Sequence, residues 1–276
     1  MTGRYPLLLV HGYGVTETGR GRHSWGRLPD ALRAAGYSVE ISWHDGFGTV
    51  RSNAEQLSET IHSLAKKHEK VHLIAHSKGG LDCREVLADS ARRREVSSLL
   101  TLGTPHQGLL TIEKMRKLTG TVRDLACKLL NFYAKKTGDC TPDSRSALYD
   151  MSIEACTERN QRLGLPSDVY FHTVGALLTE LGSCQDLALA ATVYRRLNMP
   201  SDGLVPLAST LMGPVQEVWR AGGDGIGITH HDLCDFHRRD VTVVREGQEK
   251  EPQLLLPALL DLIARVVSRA EAQDLI

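Results

Sequence analysis

Short apolar runs bounded by turn residues alternate along the chain with segments in which apolar side chains return every three or four positions. Pro6–Val10, Tyr37–Trp43, Val71–Ala75, Ser98–Leu102, Val169–Val174 and Pro214–Trp219 read as buried strands. Leu57, Ile61 and Leu64 mark one intervening helix, and Leu81, Val86 and Leu87 another. Strands alternating with helices predict an α/β fold, a mostly parallel doubly wound sheet covered on both faces and built with right-handed crossovers. From Leu109 to about Asp150 the rhythm breaks. No strand candidate occurs there, while Ile112, Met115, Leu118, Val122, Leu125, Leu129 and Phe132 recur at helical spacing. Lys114, Arg116, Lys117, Arg123, Lys128, Lys135 and Lys136 fill the other faces, so residues 109–150 read as an amphipathic helical insertion whose apolar stripe must be buried somewhere. Leu254–Arg269 reads as a last helix with Leu255, Leu259, Leu262, Ile263 and Val266 inward. With no internal repeat or low-complexity stretch, residues 1–276 form one domain with an insertion.

Composition narrows the function more than the fold. Lys plus Arg and Asp plus Glu both number 33, which offers nucleic acid no basic surplus. The apolar fraction of 41% fills a core, and no run is long enough for a transmembrane segment. The first residues run directly into a strand without the pattern of a signal peptide, which suits a cytoplasmic protein or a trimmed mature form. Six cysteines at 83, 127, 140, 156, 184 and 234 form no C-x-x-C pair and read as scattered thiols.

The chemistry gathers at predicted strand ends. Val71–Ala75 is followed by His76-Ser77-Lys78-Gly79-Gly80 and then a helix. A strand turning sharply into a helix needs small neighbours and exposes its corner residue, so the A-x-S-x-G string nominates Ser77 as a nucleophile. The corner also presents the Lys78 backbone N–H at a helix start, where negative charge is favoured. The first strand ends in His11-Gly12-Tyr13-Gly14, and the Tyr13 N–H pairs with that of Lys78 as a candidate oxyanion hole, with His11 bonding locally to hold the loop. The Lys78 side chain adds a charge near the mouth of the site. Downstream, the Asp-Gly turn of Ser201-Asp202-Gly203-Leu204-Val205-Pro206 offers Asp202 as the acid that orients a histidine. The glycine-rich 222–227 loop then delivers His230 and His231 as candidate bases; His237, among charged residues, reads as exposed, and His44, His72 and His172 as core or rim residues.

Four strings in order, Val10-His11-Gly12, Ala75-His76-Ser77-Lys78-Gly79-Gly80-Leu81-Asp82, Thr101–Gly108 and Ser201–Pro206, resemble the bacterial triacylglycerol lipases of the Pseudomonas, Burkholderia and Proteus true-lipase type, over about residues 6–235. The resemblance implies an α/β-hydrolase fold with an inserted helical lid and a Ser77, Asp202, His230 triad, His230 matching the family's base because His-x-Asp follows it. It implies lipase or esterase action on a lipid or ester substrate at a lipid–water interface, through an acyl-enzyme and without an organic cofactor. It also implies a structural calcium ion on Asp232 and Asp186, with carbonyls near Phe236 and Asp240 completing the ligands. The same constellation would serve an esterase on short or polymeric esters or a phospholipase. An inactive hydrolase-like binding module would lack a triad member, and none is missing here.

Overall fold

The structure is a computed structural model, and it describes residues 3–16, 18, 24–116, 120–179, 188–222, 227–247 and 251–275. In chain order the elements are β1 (Leu7–Val10), α1 (Leu28–Ala34), β2 (Val39–Ile41), α2 (Val50–His68), β3 (Val71–His76), α3 (Lys78–Val86), α4 (Ser90–Arg93) and β4 (Val96–Leu102). The insertion follows as α5 (Leu110–Arg116), α6 (Gly120–Lys136), α7 (Ser144–Tyr149) and α8 (Ile153–Leu163). After it come β5 (Tyr170–Leu177), α9 (Ala188–Arg196), α10 (Leu207–Thr210), β6 (Val215–Ala221), β7 (Thr242–Arg245), β8 (Gln253–Leu254) and α11 (Leu255–Gln273).

The eight strands form one sheet in the order β2-β1-β3-β4-β5-β6-β7-β8. Every pair from β2 to β6 is parallel, and β7 and β8 add an antiparallel edge. Because side chains alternate across a strand, each inner strand feeds two cores. Leu7, Leu9, Ile74, Leu100, Leu102 and Val174 pack on one side against Leu28 and Leu32 of α1 and the apolar stripe of α11. Leu8, Val10, Leu73, Ala75 and Leu99 pack on the other against Ala54, Leu57 and Ile61 of α2 and Cys83 and Val86 of α3. The six predicted strands and the last helix are therefore present, with shifted ends. The β7–β8 edge escaped notice because its strands have only four and two residues, too short to register as a periodic run.

The insertion is helical as expected, but its apolar residues divide between two destinations. Leu109 and Ile112 are buried beside Val50, Leu81, Met151, Cys156 and Val205. On α6, by contrast, Leu125, Leu129 and Phe132 are 60–65% exposed and Tyr133 is 46% exposed, and among its described side chains only Cys127 and Ala134 are buried. The expectation that the whole stripe is buried is therefore corrected for α6: small residues seat the helix and its large apolar residues face outward. Leu118 lies outside the described residues, as does the side chain of Val122.

Several histidines are sealed in this frame. Burial holds the imidazoles of His11, His76 and His106 well below the usual value of 6.5. Below pH 6.5 the unfolded chain therefore binds protons that the native state refuses, and stability falls as pH drops from there toward the native pKa values, at about 1.4 kcal/mol per pH unit for each group. Carboxylates held low by their partners, such as Glu217, add their loss only below the ordinary carboxylate range. Urea midpoints should accordingly fall steeply between pH 6.5 and 5 and level off above pH 7; a flat profile across that window contradicts the burial of neutral histidines.

Candidate active site

The sequence candidates meet at the carboxyl ends of the parallel strands, where ligands bind in open α/β sheets. Ser77 sits between β3 and α3 at φ 55° and ψ −132°. A side chain rarely tolerates that conformation, and it persists only where the surroundings over-determine it. Here the Ser77 N–H donates to the Leu102 carbonyl at 2.9 Å, and the Ser77 carbonyl accepts from Thr104 Oγ1 at 2.8 Å. The close approach of strand and helix is real: a Cβ on Gly79 would lie 2.4 Å from the His11 carbonyl oxygen, and one on Gly12 would lie 2.7 Å from Ser77 Cβ. The loop after β1 thus passes directly over the nucleophile candidate.

Asp202 and His230 are both buried and joined, His230 Nδ1 donating to Asp202 Oδ2 at 2.7 Å. The other carboxylate oxygen accepts from the backbone N–H of Leu204 and Val205 at 2.9 and 2.7 Å, so the Asp-Gly turn wraps its own aspartate. The His230 N–H in turn donates to the Asp202 carbonyl at 2.8 Å. His76, next to Ser77, meets the His230 carbonyl through Nε2 at 2.9 Å and lies against its ring at 4.5 Å. His231 borders the same cavity, but its ring lies against His230, Phe236 and His237 and not against Asp202, and His237 is exposed as expected.

Ser77, His230 and Tyr13 line one cavity of about 650 Å³, within the range of about 300–1,000 Å³ typical of small-molecule sites. Its walls are mostly apolar, with Trp25, Leu109, Ile112, Met115, Met151 and Val193 among them. Part of that roof is α5, so the inner portion of the insertion borders the site while α6 faces away. Tyr13 lies in the turn after β1, and Lys78 opens α3, where its backbone N–H has no intrahelical acceptor. His11 Nδ1 bonds to the Gly12 carbonyl at 3.0 Å, the local tie expected for that loop.

The Lys78 side chain departs from expectation. It is 1% exposed and does not reach the mouth; its ammonium donates to Asp82 Oδ1, one helical turn on, at 2.7 Å. The other oxygen of Asp82 accepts from Asn53 at 3.1 Å and faces His44 Nε2 at 3.6 Å. The His44 ring stacks on His11 at 3.9 Å. The i,i+4 Lys-Asp spacing within the serine motif was a legible signal for this pair, whereas Asn53 and His44 were not, because only folding brings them to it.

Asp232 is fully buried. Its Oδ2 accepts from the Thr229 N–H at 2.8 Å and from Arg239 at 2.9 Å, while its Oδ1 has no hydrogen-bond partner among the described residues. A buried orphan carboxylate oxygen suits a hard cation, although Arg239 already supplies one positive charge there. Asp186, its expected companion, lies outside the described residues. Among the described residues, no group of three or more His, Cys, Asp or Glu is arranged to hold a metal.

Comparison with known proteins bears on the fold and the class of hydrolase. The model of the palmitoyl protein thioesterase family matches residues 6–149, more than half of the chain. A triacylglycerol lipase of Vibrio cholerae is 26% identical over 238 residues, 77% of this chain and 75% of that protein. A triacylglycerol lipase of Burkholderia plantarii is 34% identical over 111 residues, 38% of this chain and 30% of that one. The crystal structure of Staphylococcus hyicus lipase superposes with a TM-score of 0.71 at 18% identity, covering 99% of this chain and 97% of the other, which speaks to the fold. The chain belongs to the palmitoyl protein thioesterase family and is a carboxylic ester hydrolase with the α/β-hydrolase fold.

Proposed function

We propose that the protein is a lipase or esterase that cleaves carboxylic esters such as acylglycerols through a Ser77-His230-Asp202 triad and an acyl-enzyme. The observation that carries this reading is a serine on a strained elbow opening onto the same apolar cavity as a histidine whose Nδ1 is held by a buried aspartate. With Nδ1 donating to Asp202, Nε2 is the nitrogen able to take the Ser77 proton as Oγ attacks the acyl carbon. The carbonyl oxygen then gains charge, which the N–H groups of Tyr13 and Lys78 would stabilise. His230 returns the proton to the leaving alcohol, and water, activated in the same way, releases the acid and restores Ser77. The four sequence motifs favour the bacterial true-lipase type within this class. The thioesterase family match supports a second reading, an acyl thioester substrate with a thiol as leaving group, which needs no other machinery.

Two further elements belong to this proposal. The exposed apolar stripe of α6, flanked by exposed Lys128, Lys135 and Lys136, suits contact with an anionic lipid–water interface. No described helix is long and apolar enough to cross a membrane. A structural calcium ion held by Asp232, with Asp186, would tether the His230 loop; its chemistry there is purely structural, and no bond to substrate is involved.

Four measurements test these statements. A fluorophosphonate probe should label Ser77 and nothing else, and Ser77→Ala, Asp202→Ala and His230→Ala should each lose several orders of magnitude in kcat with strongly non-additive combinations; wild-type activity in Ser77→Ala, or an inactive His231→Ala beside an active His230→Ala, defeats the assignment. A chain-length series of p-nitrophenyl esters, run with acyl thioesters and triglyceride emulsions, separates the two substrate readings. On emulsions and anionic vesicles, the pair Leu129→Glu and Phe132→Glu should cut activity and binding at least tenfold while a soluble butyrate ester is hydrolysed as before, and equal losses on both substrates count against an interfacial role. Chelation with EDTA should lower the melting temperature and activity, with calcium but not magnesium restoring both; if neither changes, and Asp232→Ala matches wild type, there is no such ion.

A further inference from the structure

We infer that Asp45 and Asp139 are positioning residues that fix the loop after β1, and with it the Tyr13 N–H, to the end of α6. The inference rests on the reading of Tyr13 as an oxyanion donor. The 45–48 turn is the direct neighbour of that loop: the Gly14 N–H donates to the Gly46 carbonyl at 2.8 Å, and a Cβ on Gly46 would fall 1.9 Å from the Val15 carbonyl oxygen. Phe47 carries the contact further, with its ring edge-on to Tyr13 at 5.0 Å and to Tyr133 of α6 at 6.3 Å.

Two buried carboxylates lock this turn to the segment that leaves α6, each serving the backbone of the other's strand of chain. Asp139 accepts from the N–H groups of Gly46 and Phe47 at 3.1 and 2.8 Å. Asp45 accepts from the N–H groups of Cys140 and Thr141 at 2.8 and 2.7 Å, and from Thr141 Oγ1 at 2.8 Å. The Asp143 N–H closes the exchange on the Phe47 carbonyl at 2.9 Å. Both carboxylates are less than a tenth exposed. Asn53 then ties the clamp to the nucleophile helix, donating to the Asp45 carbonyl at 2.9 Å and to Asp82 Oδ2 at 3.1 Å. One buried polar layer therefore joins the end of α6, the loop over the nucleophile and α3.

Such a layer has a specific kinetic meaning. An oxyanion donor acts on charge that exists only in the transition state, so misplacing it lowers kcat and leaves ground-state binding alone. A residue that merely supports folding lowers the number of active molecules and leaves the turnover of each one unchanged.

The test compares Asp139→Asn, Thr141→Val, Ser77→Ala and Val266→Ala, the last a core truncation in α11 remote from the site, on a soluble p-nitrophenyl butyrate. In the variants that keep Ser77, active sites are titrated to completion with fluorophosphonate so that kcat is expressed per folded site, and Ser77→Ala is assayed per mole of protein. Asp139→Asn should lose about tenfold or more in kcat per site, with KM changed less than about twofold and labelling slowed in parallel. Thr141→Val should show a smaller loss in the same direction, and it carries the test if Asp139→Asn does not fold. Val266→Ala should lower the melting temperature and keep its kcat per site. Wild-type kcat per site in the clamp variants, alongside an inactive Ser77→Ala, overturns the inference and leaves the proposed mechanism standing. An active Ser77→Ala overturns both.

Discussion

The conformation of Ser77 organises everything around it. A residue with a side chain held at φ 55° and ψ −132° carries a cost of roughly 1–3 kcal/mol, and the fold meets it with contacts from three directions. β4 supplies an acceptor for the Ser77 N–H through Leu102, and the chain just beyond supplies Thr104 as a donor to its carbonyl. The loop after β1 presses from above, close enough that Gly12 and Gly79 leave no room for a methyl group. A serine in that position is raised above the sheet and faces a cavity rather than the core. The strain, the close packing and the place of Ser77 in the cavity wall are one structural fact.

Beneath the elbow lies a polar layer that an apolar core would replace with less risk. Lys78 and Asp82 are both 1% exposed, and desolvating two charges costs several kcal/mol per ion before their attraction is counted. The pair is sustained because Asn53 and His44 address the remaining carboxylate oxygen. The stack of His44 on His11 extends the layer to the residue before Gly12, and Asp45 and Asp139 extend it to the insertion. Hydrogen-bonded networks of this kind are directional, whereas apolar contacts are not. A loop whose backbone N–H must point at one place is better held by the former.

The insertion shows the same division of labour. Its first turn, Leu109 and Ile112, is bound into an apolar cluster and borders the cavity. Its long helix α6 rests on Cys127 and Ala134 and turns Leu125, Leu129 and Phe132 outward. Small residues let a helix lie close, and the large ones are then left on the protein's surface. The family match and the lipase relatives bear this class of hydrolase out as a whole, and in this chain a charged pair is sealed beneath Ser77.

Much of this was written in the order of residues. The alternation of buried runs with helical stripes determined the parallel sheet, since both signals are local and periodic. The serine string, the Asp-Gly turn and the His-His-Asp loop were legible because each needs particular residues next to one another: small ones at a tight corner, a turn former around a carboxylate, glycines ahead of a histidine pair. Residues whose meaning depends on a partner far away in sequence were not legible. Asp139 meets Gly46 across 93 positions and Asp45 meets Cys140 across 95, so neither carboxylate differs in sequence from an ordinary surface aspartate. The direction of the α6 stripe was equally hidden, because helical periodicity says that an apolar face exists and only the packing of Cys127 and Ala134 decides which way it looks. Lys78 is the intermediate case: its partner lies four residues on and could be read, but whether the pair sat in water or in the core was decided by α2 and the His11–His44 stack closing over it.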